Sequence, residues 1–348
     1  MWAKHASGVL LAILLVTSLI ALPSFIITMS SQTASANPST ENFTIVVLPD
    51  TQYYSQDYPG IFENQTKWIV QNENEKNIVF VTHLGDIVNS HSADYQWQNA
   101  NSAMSILDNK VPYGLLPGNH DIALDGSAPE YEKYFPASRY EGYSYWGGSY
   151  DSDSVTSSSP NMNNYQLFSA DGMNFIVLDL QYNPPADVLT WADNVLSKYS
   201  NRRAIISTHS YINADGGWAP GGPVIWRSLV VPHKNVFLVL CGHELGEAEK
   251  IDNLDNRTVY QLLSDYQDFT DGGSGYLRIM EFAPSQNTIY VETYSSYLGH
   301  YRTNSESQFE LYYPMNATAG GGISLMVYVG AIVVIVVIIA AVLIIKVV

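Results

Sequence analysis

The chain has 348 residues, a single cysteine, and 16 Lys and Arg against 33 Asp and Glu, for a formal charge of −17. So acidic a chain lacks the basic face that nucleic acid binding needs, and no nucleic-acid partner is expected. One cysteine excludes an intramolecular disulfide, and a chain of this size can bury a sufficient core without one.

The first 36 residues carry Lys4, an apolar run over 8–27 and then Ala34-Ser35-Ala36. That is the pattern of a signal peptide or an N-terminal anchor. A Ser/Thr/Ala linker follows over 28–41, and residues 42–313 are expected to form one domain. Its apolar runs end in a consistent way. Val46-Val47-Leu48-Pro49 is followed by Asp50, and Val79-Phe80-Val81-Thr82-His83-Leu84-Gly85 by Asp86. Tyr113-Gly114-Leu115-Leu116-Pro117-Gly118 precedes Asn119-His120-Asp121. Ala204-Ile205-Ile206-Ser207-Thr208 leads to His209, and Val236-Phe237-Leu238-Val239-Leu240-Cys241-Gly242 to His243. Continuous apolar runs of this length read as buried strands, and open α/β sheets build their sites at the C-terminal strand ends.

Helical spacing falls near 61–74, 93–108, 185–199 and 223–233, and further strands near 175–180, 260–263, 276–282 and 289–294. Residues 141–164 read as a long loop after the Asn119-His120 segment, either a roof whose Tyr143, Tyr145 and Trp146 contact a substrate or a decorated surface loop. A second candidate lip is the Gly-rich stretch 214–222. A stalk over 314–322 leads to Ile323–Ile345, which is 23 residues without a charge. At about 1.5 Å per residue that run reaches about 34 Å, enough to span a bilayer as a transmembrane helix, with Lys346 as a weak inside signal. Two of the chain's cations lie in these terminal segments, so the domain between them is more acidic still. Lipid bilayer is therefore an expected partner through 323–345, and the domain is expected outside the cytoplasm at the cell surface. Four N-x-S/T acceptor sites, at Asn42, Asn64, Asn256 and Asn316, agree with that location.

Asp, Asn and His suit hard or borderline divalent ions, and a mixed set can hold two of them near one another. Glycine before Asp86, Asn119 and His243 is expected to let the backbone turn sharply as each strand ends. Taken singly, each residue has a plainer explanation: a strand-end Asp or Asn is usually a turn former. His83 reads as a packed core histidine and His233 as a surface one. Neither matches a ligand position; His91 and His300 read as bland too, although His91, after the 85–89 segment, could line the mouth, and Asn89 reads as a residue that orients its neighbours.

Taken in order, the series resembles the calcineurin-like metallophosphoesterases, whose pattern is D-x-H, G-D-x-x-N/D, G-N-H-D/E, a lone H, then G-H-x-H. The resemblance covers residues 44–297 and implies a four-layer α/β/β/α sandwich that hydrolyses a phosphate mono- or diester by attack of metal-bound hydroxide. It implies divalent metal ions such as Mn, Fe or Zn on Asp50, Gln52, Asp86, Asn119, His209 and His243. It implies His120 as the residue acting on the phosphoryl group or leaving oxygen, with Asp121 orienting its imidazole. Two positions depart from the pattern: Gln52 stands where the family has His, and Leu245 stands where the last His belongs. Both losses fall on the metal that Asp50 serves, so one ion is expected to be held tightly and a second weakly or not at all. Glu244 and Glu247 are candidates to fill the gap. The principal expectation is an anchored metal-dependent phosphoesterase. The alternatives are a binding module of the same fold with impaired catalysis, and a surface-layer or adhesion scaffold, which would have no need of His120, Asp121, His209 and His243.

Overall fold

The computed structural model describes residues 41–150 and 161–315. Three expectations lie wholly or mostly outside them: the N-terminal segment 1–36, the transmembrane run 323–345 and the stalk. Among the described residues no helix is long and apolar enough to cross a membrane.

The elements run β1 (Phe43–Leu48), α1 (Gln52–Asp57), α2 (Pro59–Asn72), β2 (Ile78–His83), α3 (Asp94–Met104), β3 (Tyr113–Leu115), α4 (Pro129–Tyr134), β4 (Trp146–Ser149), β5 (Asn164–Ala170), β6 (Met173–Leu180), α5 (Ala186–Lys198) and β7 (Arg203–Thr208). They continue with α6 (Gly222–Ile225), β8 (Val236–Cys241), β9 (Gly246–Leu254), β10 (Arg257–Asp265), β11 (Tyr276–Ala283), β12 (Thr288–Ser295), β13 (His300–Arg302) and β14 (Gln308–Tyr312).

Two sheets form. The first has the order β13-β12-β11-β1-β2-β3, with β14 also paired to β12; the second has the order β4-β5-β6-β7-β8-β10-β9. In the first, β1, β2 and β3 are parallel neighbours. In the second, β6, β7, β8 and β10 are parallel. Parallel neighbours require crossovers; helices supply them on the outer faces, except between β8 and β10, which β9 connects.

Alternation along each central strand decides the layering. Phe43, Ile45 and Val47 of β1 join Phe80, Phe175, Val177, Ile205 and Leu238 in the core between the sheets. Val46 and Leu48 point the other way, into a core shared with Ile61, Phe62 and Ile69 of α2 and Trp97 and Ala100 of α3. On the far side Ile176, Ile206 and Val239 meet Val188, Leu189 and Ala192 of α5. The result is the expected α/β/β/α sandwich, and it explains why β1 is buried along its whole length. Aromatic packing adds to the middle layer. Phe43 stacks on Phe282 at 4.8 Å and meets Phe175 edge-on at 5.7 Å, contacts worth about 0.5–1.5 kcal/mol each beyond area burial.

Helix α5 buries Val188, Leu189, Ala192, Val195 and Leu196, the three- and four-residue spacing of one helical face, and carries Asp187 in its first turn and Lys198 in its last, as the macrodipole favours. The helix expected over 223–233 is shorter. After α6 the backbone widens into a π turn over Trp226–Val230, with Val231 N–H bonded to Trp226 O at 2.9 Å, and Pro232 cannot continue the ladder. The next residue, His233, is a correction to the sequence reading: it is buried, and its Nε2 lies 2.8 Å from Asp193 Oδ1 on α5.

The long loop expected over 141–164 is also corrected where it is described. Trp146–Ser149 forms an edge strand on β5, and the Trp146 ring stacks on Tyr140 at 5.2 Å. Tyr143 donates its hydroxyl to Asn109, before the N-terminal end of β3, and stacks on Tyr145. Substrate contact by these rings is not what their packing serves, because the β3 end they approach is opposite to the one bearing Asn119.

Candidate metal centre

All the strand ends named above meet at one place. Asp50 follows β1, Asp86 follows β2, Asn119 and His120 follow β3, His209 follows β7 and His243 follows β8, so each sheet contributes to the site from its C-terminal edge. Two of these residues hold left-handed backbone, Asp86 at φ 46° and His243 at φ 71°. Non-glycine residues rarely adopt it, and it persists where surrounding structure enforces it, commonly at functional sites.

The glycines act in two ways. Gly85 takes φ 95° and makes the turn before Asp86, as expected. Gly118 and Gly242 do not have positive φ; they allow close approach instead. A Cβ on Gly118 would lie 2.1 Å from Asp86 Oδ1, and one on Gly242 would lie 2.2 Å from Asp50 Oδ1.

Four donor atoms then converge. His209 Nε2 lies 2.9 Å from Asn119 Oδ1, 3.3 Å from Asp86 Oδ1 and 3.2 Å from His243 Nδ1. His209 Nδ1 lies 2.9 Å from Leu84 O, and since a carbonyl only accepts, Nδ1 carries that hydrogen. In the neutral ring Nε2 is thus a lone pair, facing two oxygen acceptors and another imidazole. A proton or a cation at this point reconciles such a set. Ligands about 2.1 Å from an ion stand about 3.0 Å apart along an octahedral edge and about 3.4 Å along a tetrahedral one, so the spacing fits one divalent cation. Asp86, His209 and His243 form the cluster of such groups among the described residues.

Charge follows the same geometry. Burial works against a proton on His209, but the field and hydrogen bond of Asp86 outweigh it and raise its pKa above the usual imidazole value. Burial likewise opposes ionisation of Asp86, yet His209 holds its carboxyl below the usual range. Burial, and then the neighbouring His209, pushes His243 down to about 4. The first two shifts favour the charged forms of His209 and Asp86 at the point where an ion fits.

The other half of the site is different in kind. Asp50 Oδ2 accepts from His243 N–H at 3.2 Å, while its Oδ1 is buried without a hydrogen-bond partner. Gln52, the first residue of α1, donates through Nε2 to Gln267, and its Oε1 is likewise buried and unpartnered. Leu245 is half exposed and offers no donor atom. Of the two glutamates considered for the gap, Glu247 is committed elsewhere: it pairs with buried Arg278 at 2.7 Å and accepts from Tyr266, Thr293 and Ser307. Asp265 was missed by sequence reasoning. It ends β10, is buried, and leaves Oδ2 unpartnered while Oδ1 accepts from Gln267 N–H at 3.0 Å. Burial and then the charges of Asp265 and Asp86 raise the pKa of Asp50, and Asp265 itself is pushed up to about 7, chiefly by burial.

His120 and Asp121 need a correction. Asp121 does not orient the His120 ring. Its carboxylate accepts three backbone N–H groups, from Gly118 at 2.8 Å, Val88 at 2.9 Å and Ile87 at 3.0 Å, and so ties the loop after β2 to the loop after β3. The His120 ring is held by a main-chain carbonyl: Nδ1 lies 2.8 Å from Asn89 O, while its own N–H donates to Asp86 Oδ1 at 2.9 Å. Asn89 thus positions a neighbour through its backbone. Tyr182, also missed, follows β6 and lays its ring against His209 at 5.8 Å and His243 at 5.4 Å. His83 is a core histidine: buried, bonded to Thr51 and Gly85, and pushed by burial down to about 3.

A model of calcineurin-like phosphoesterases matches residues 43–247. The chain belongs to that family. A curated protein of Bacillus subtilis strain 168, the uncharacterised YvnB, is 38% identical over 270 residues, which are 75% of this chain and 20% of the relative. This chain therefore spans about a fifth of that protein's length. Among solved structures, the purple acid phosphatase PPD1 of yellow lupin seeds is 14% identical with a TM-score of 0.52, covering 80% of this chain and 56% of that one. GAP50 of Plasmodium, described as the anchor in the inner membrane complex, is 14% identical with a TM-score of 0.49, covering 78% and 90%. The lupin likeness shows the shared metallophosphoesterase fold. The family is metal-dependent, and the convergent acceptors of Asp86, Asn119, His209 and His243 fit such an ion on their own geometry.

Proposed function

We propose that this chain hydrolyses a phosphate mono- or diester, with a divalent ion such as Mn, Fe or Zn held by Asp86, Asn119, His209 and His243. The observation that carries the proposal is the convergence of Asp86 Oδ1, Asn119 Oδ1 and His243 Nδ1 on His209 Nε2 at 2.9–3.3 Å, with His120 alongside. When bound, such ions acidify water and offset phosphoryl charge. The chain's own residues supply the rest. His120 Nδ1–H is committed to Asn89 O, which leaves Nε2 as the atom that carries a proton to the leaving oxygen. Asp121 fixes the backbone on which Asn119 and His120 sit. The Tyr182 ring covers one side of the imidazole pair and limits water there.

One observation favours a second reading, a binding module of the same fold with weak turnover: the half-exposed Leu245 stands where the family pattern has its last histidine. A panel of aryl phosphate mono- and diesters, tested with each metal on the purified full-length chain, separates the two. Turnover above that of His120→Ala supports the enzyme, and none with any metal leaves the binding module.

Location belongs to the same proposal. The uncharged run Ile323–Ile345 supports anchorage in a bilayer, and the leader-like residues 1–36 support a domain outside the cytoplasm at the cell surface. Protease added to intact cells should cleave the domain; protection of the domain in intact cells contradicts this location.

A further inference from the structure

We propose that Asp265 completes a second divalent-cation site, with Asp50 and Gln52, in which oxygen atoms replace the two imidazoles that the family pattern places there. The inference rests on the metal-dependent reading of the neighbouring cluster and goes beyond it by assigning a ligand that lies outside every motif.

Three head groups share one arrangement. Asp50 has Oδ2 tied to His243 N–H, Gln52 has Nε2 tied to Gln267, and Asp265 has Oδ1 tied to Gln267 N–H. In each the remaining oxygen, Asp50 Oδ1, Gln52 Oε1 or Asp265 Oδ2, is buried without a partner. These side chains are at most 2% exposed. A buried acceptor left without a donor costs about 1–3 kcal/mol, more when it is charged, and one cation would satisfy all three of these oxygens. Gln267 links two of them: it accepts from Gln52 and donates to Asp265, which aligns the amide and the carboxylate with each other. Asp50 reaches the same region from β1, against Gly242.

Charge points the same way. Asp50, Asp86, Asp121 and Asp265 are buried carboxylates; among the described residues none of them pairs with Lys or Arg, and His209 stands 3.3 Å from Asp86 and 4.0 Å from Asp50 but forms no ion pair with Asp265. Buried charges of one sign persist when paired or when they coordinate metal. A divalent ion at Asp50, Gln52 and Asp265 supplies positive charge at the end of the cluster that the His209 site does not reach. Two carboxylates and an amide oxygen make a hard site, suited to Mg²⁺ or Mn²⁺ rather than to Zn²⁺, which the imidazoles next door prefer.

The test is Mn²⁺ binding to the purified full-length chain, followed by electron paramagnetic resonance of the free ion, with Mg²⁺ as competitor. Two Mn²⁺ per chain are expected, and excess Mg²⁺ should displace one of them. Asp265→Asn should weaken that ion at least about tenfold and leave the other in place, whereas His243→Ala should lose the other. Circular dichroism and melting of Asp265→Asn check its fold; if that variant does not fold, the Mg²⁺ displacement in the unaltered chain decides. A single Mn²⁺, lost in His243→Ala, overturns the second site and leaves the first standing. Two ions held with unchanged strength by folded Asp265→Asn also overturn it. No Mn²⁺ at all overturns this proposal together with the metal-dependent function.

Discussion

The Nε2 of His209 and the Nδ1 of His243 face each other at 3.2 Å, from strands β7 and β8 of the second sheet, at the point where Asp86 and Asn119 arrive from the first. The contacts of His209 with Asn119 and Asp86 join the two halves of the sandwich. At this cluster the first sheet supplies the oxygens and the second the nitrogens.

Replacing residues of this cluster should therefore have two distinguishable effects. His209→Ala and Asp86→Ala should lose bound metal and turnover together, since each removes an atom at the convergence point. His120→Ala should keep its metal and lose about 10²–10⁴-fold in turnover, since its ring is bonded to Asn89 O. Metal analysis beside kcat on one aryl phosphate checks the contrast; equal metal loss in all three would place His120 among the ligands.

Glu247 is expected to serve the fold. Its carboxylate pairs with Arg278, which is almost wholly buried, at 2.7 Å. Breaking a buried pair by removing one charge typically costs about 3–5 kcal/mol. Glu247→Gln should lose stability of that order in urea denaturation while its metal content stays unchanged. Loss of an ion without loss of stability would make it a ligand instead.

The site was largely legible in the sequence because its strands are buried on both faces. Val46 and Val47 of β1 enter different cores, as do Leu238 and Val239 of β8, so the runs are continuous and their ends are sharp. Strand β9 was not read: it is an edge strand whose Glu247, Glu249, Lys250 and Asp252 break any apolar pattern. Helix α1 was missed as well, because six mostly polar residues give no period. Asp265 escaped for a related reason. The apolar signal of β10 stops at Leu263, two residues before the strand does, so the carboxylate at its end did not register as a strand-end group. The roles of Asp121 and His120 Nδ1 depended on main-chain partners, Gly118 N–H and Asn89 O, which no side-chain pattern encodes.

Stability should also depend on pH through Asp179, a group that is not itself one of the cluster's ligands. Asp179, between the sheets, is pushed up to about 8 by burial, with Oδ2 unpartnered and Thr82 Oγ1 at 3.5 Å as its donor. Its folded pKa exceeds its unfolded value, about 3.9, so the folded chain binds the proton more tightly. Its contribution is complete below the unfolded pKa and is lost as pH rises through about 8. Thermal melts at pH 5 and pH 9 should show the unaltered chain losing more stability than Asp179→Asn over that interval. Equal losses would mean that Asp179 stays ionised in the fold.

The central claim is that hydrolysis depends on an ion held at the His209 cluster, and chelation tests it most directly. Turnover of an aryl phosphate by the full-length chain should vanish after treatment with a chelator and return on adding Mn²⁺. In His209→Ala, Mn²⁺ should restore nothing. Turnover that survives removal of all bound metal, or that Mn²⁺ restores equally in His209→Ala, would contradict the account.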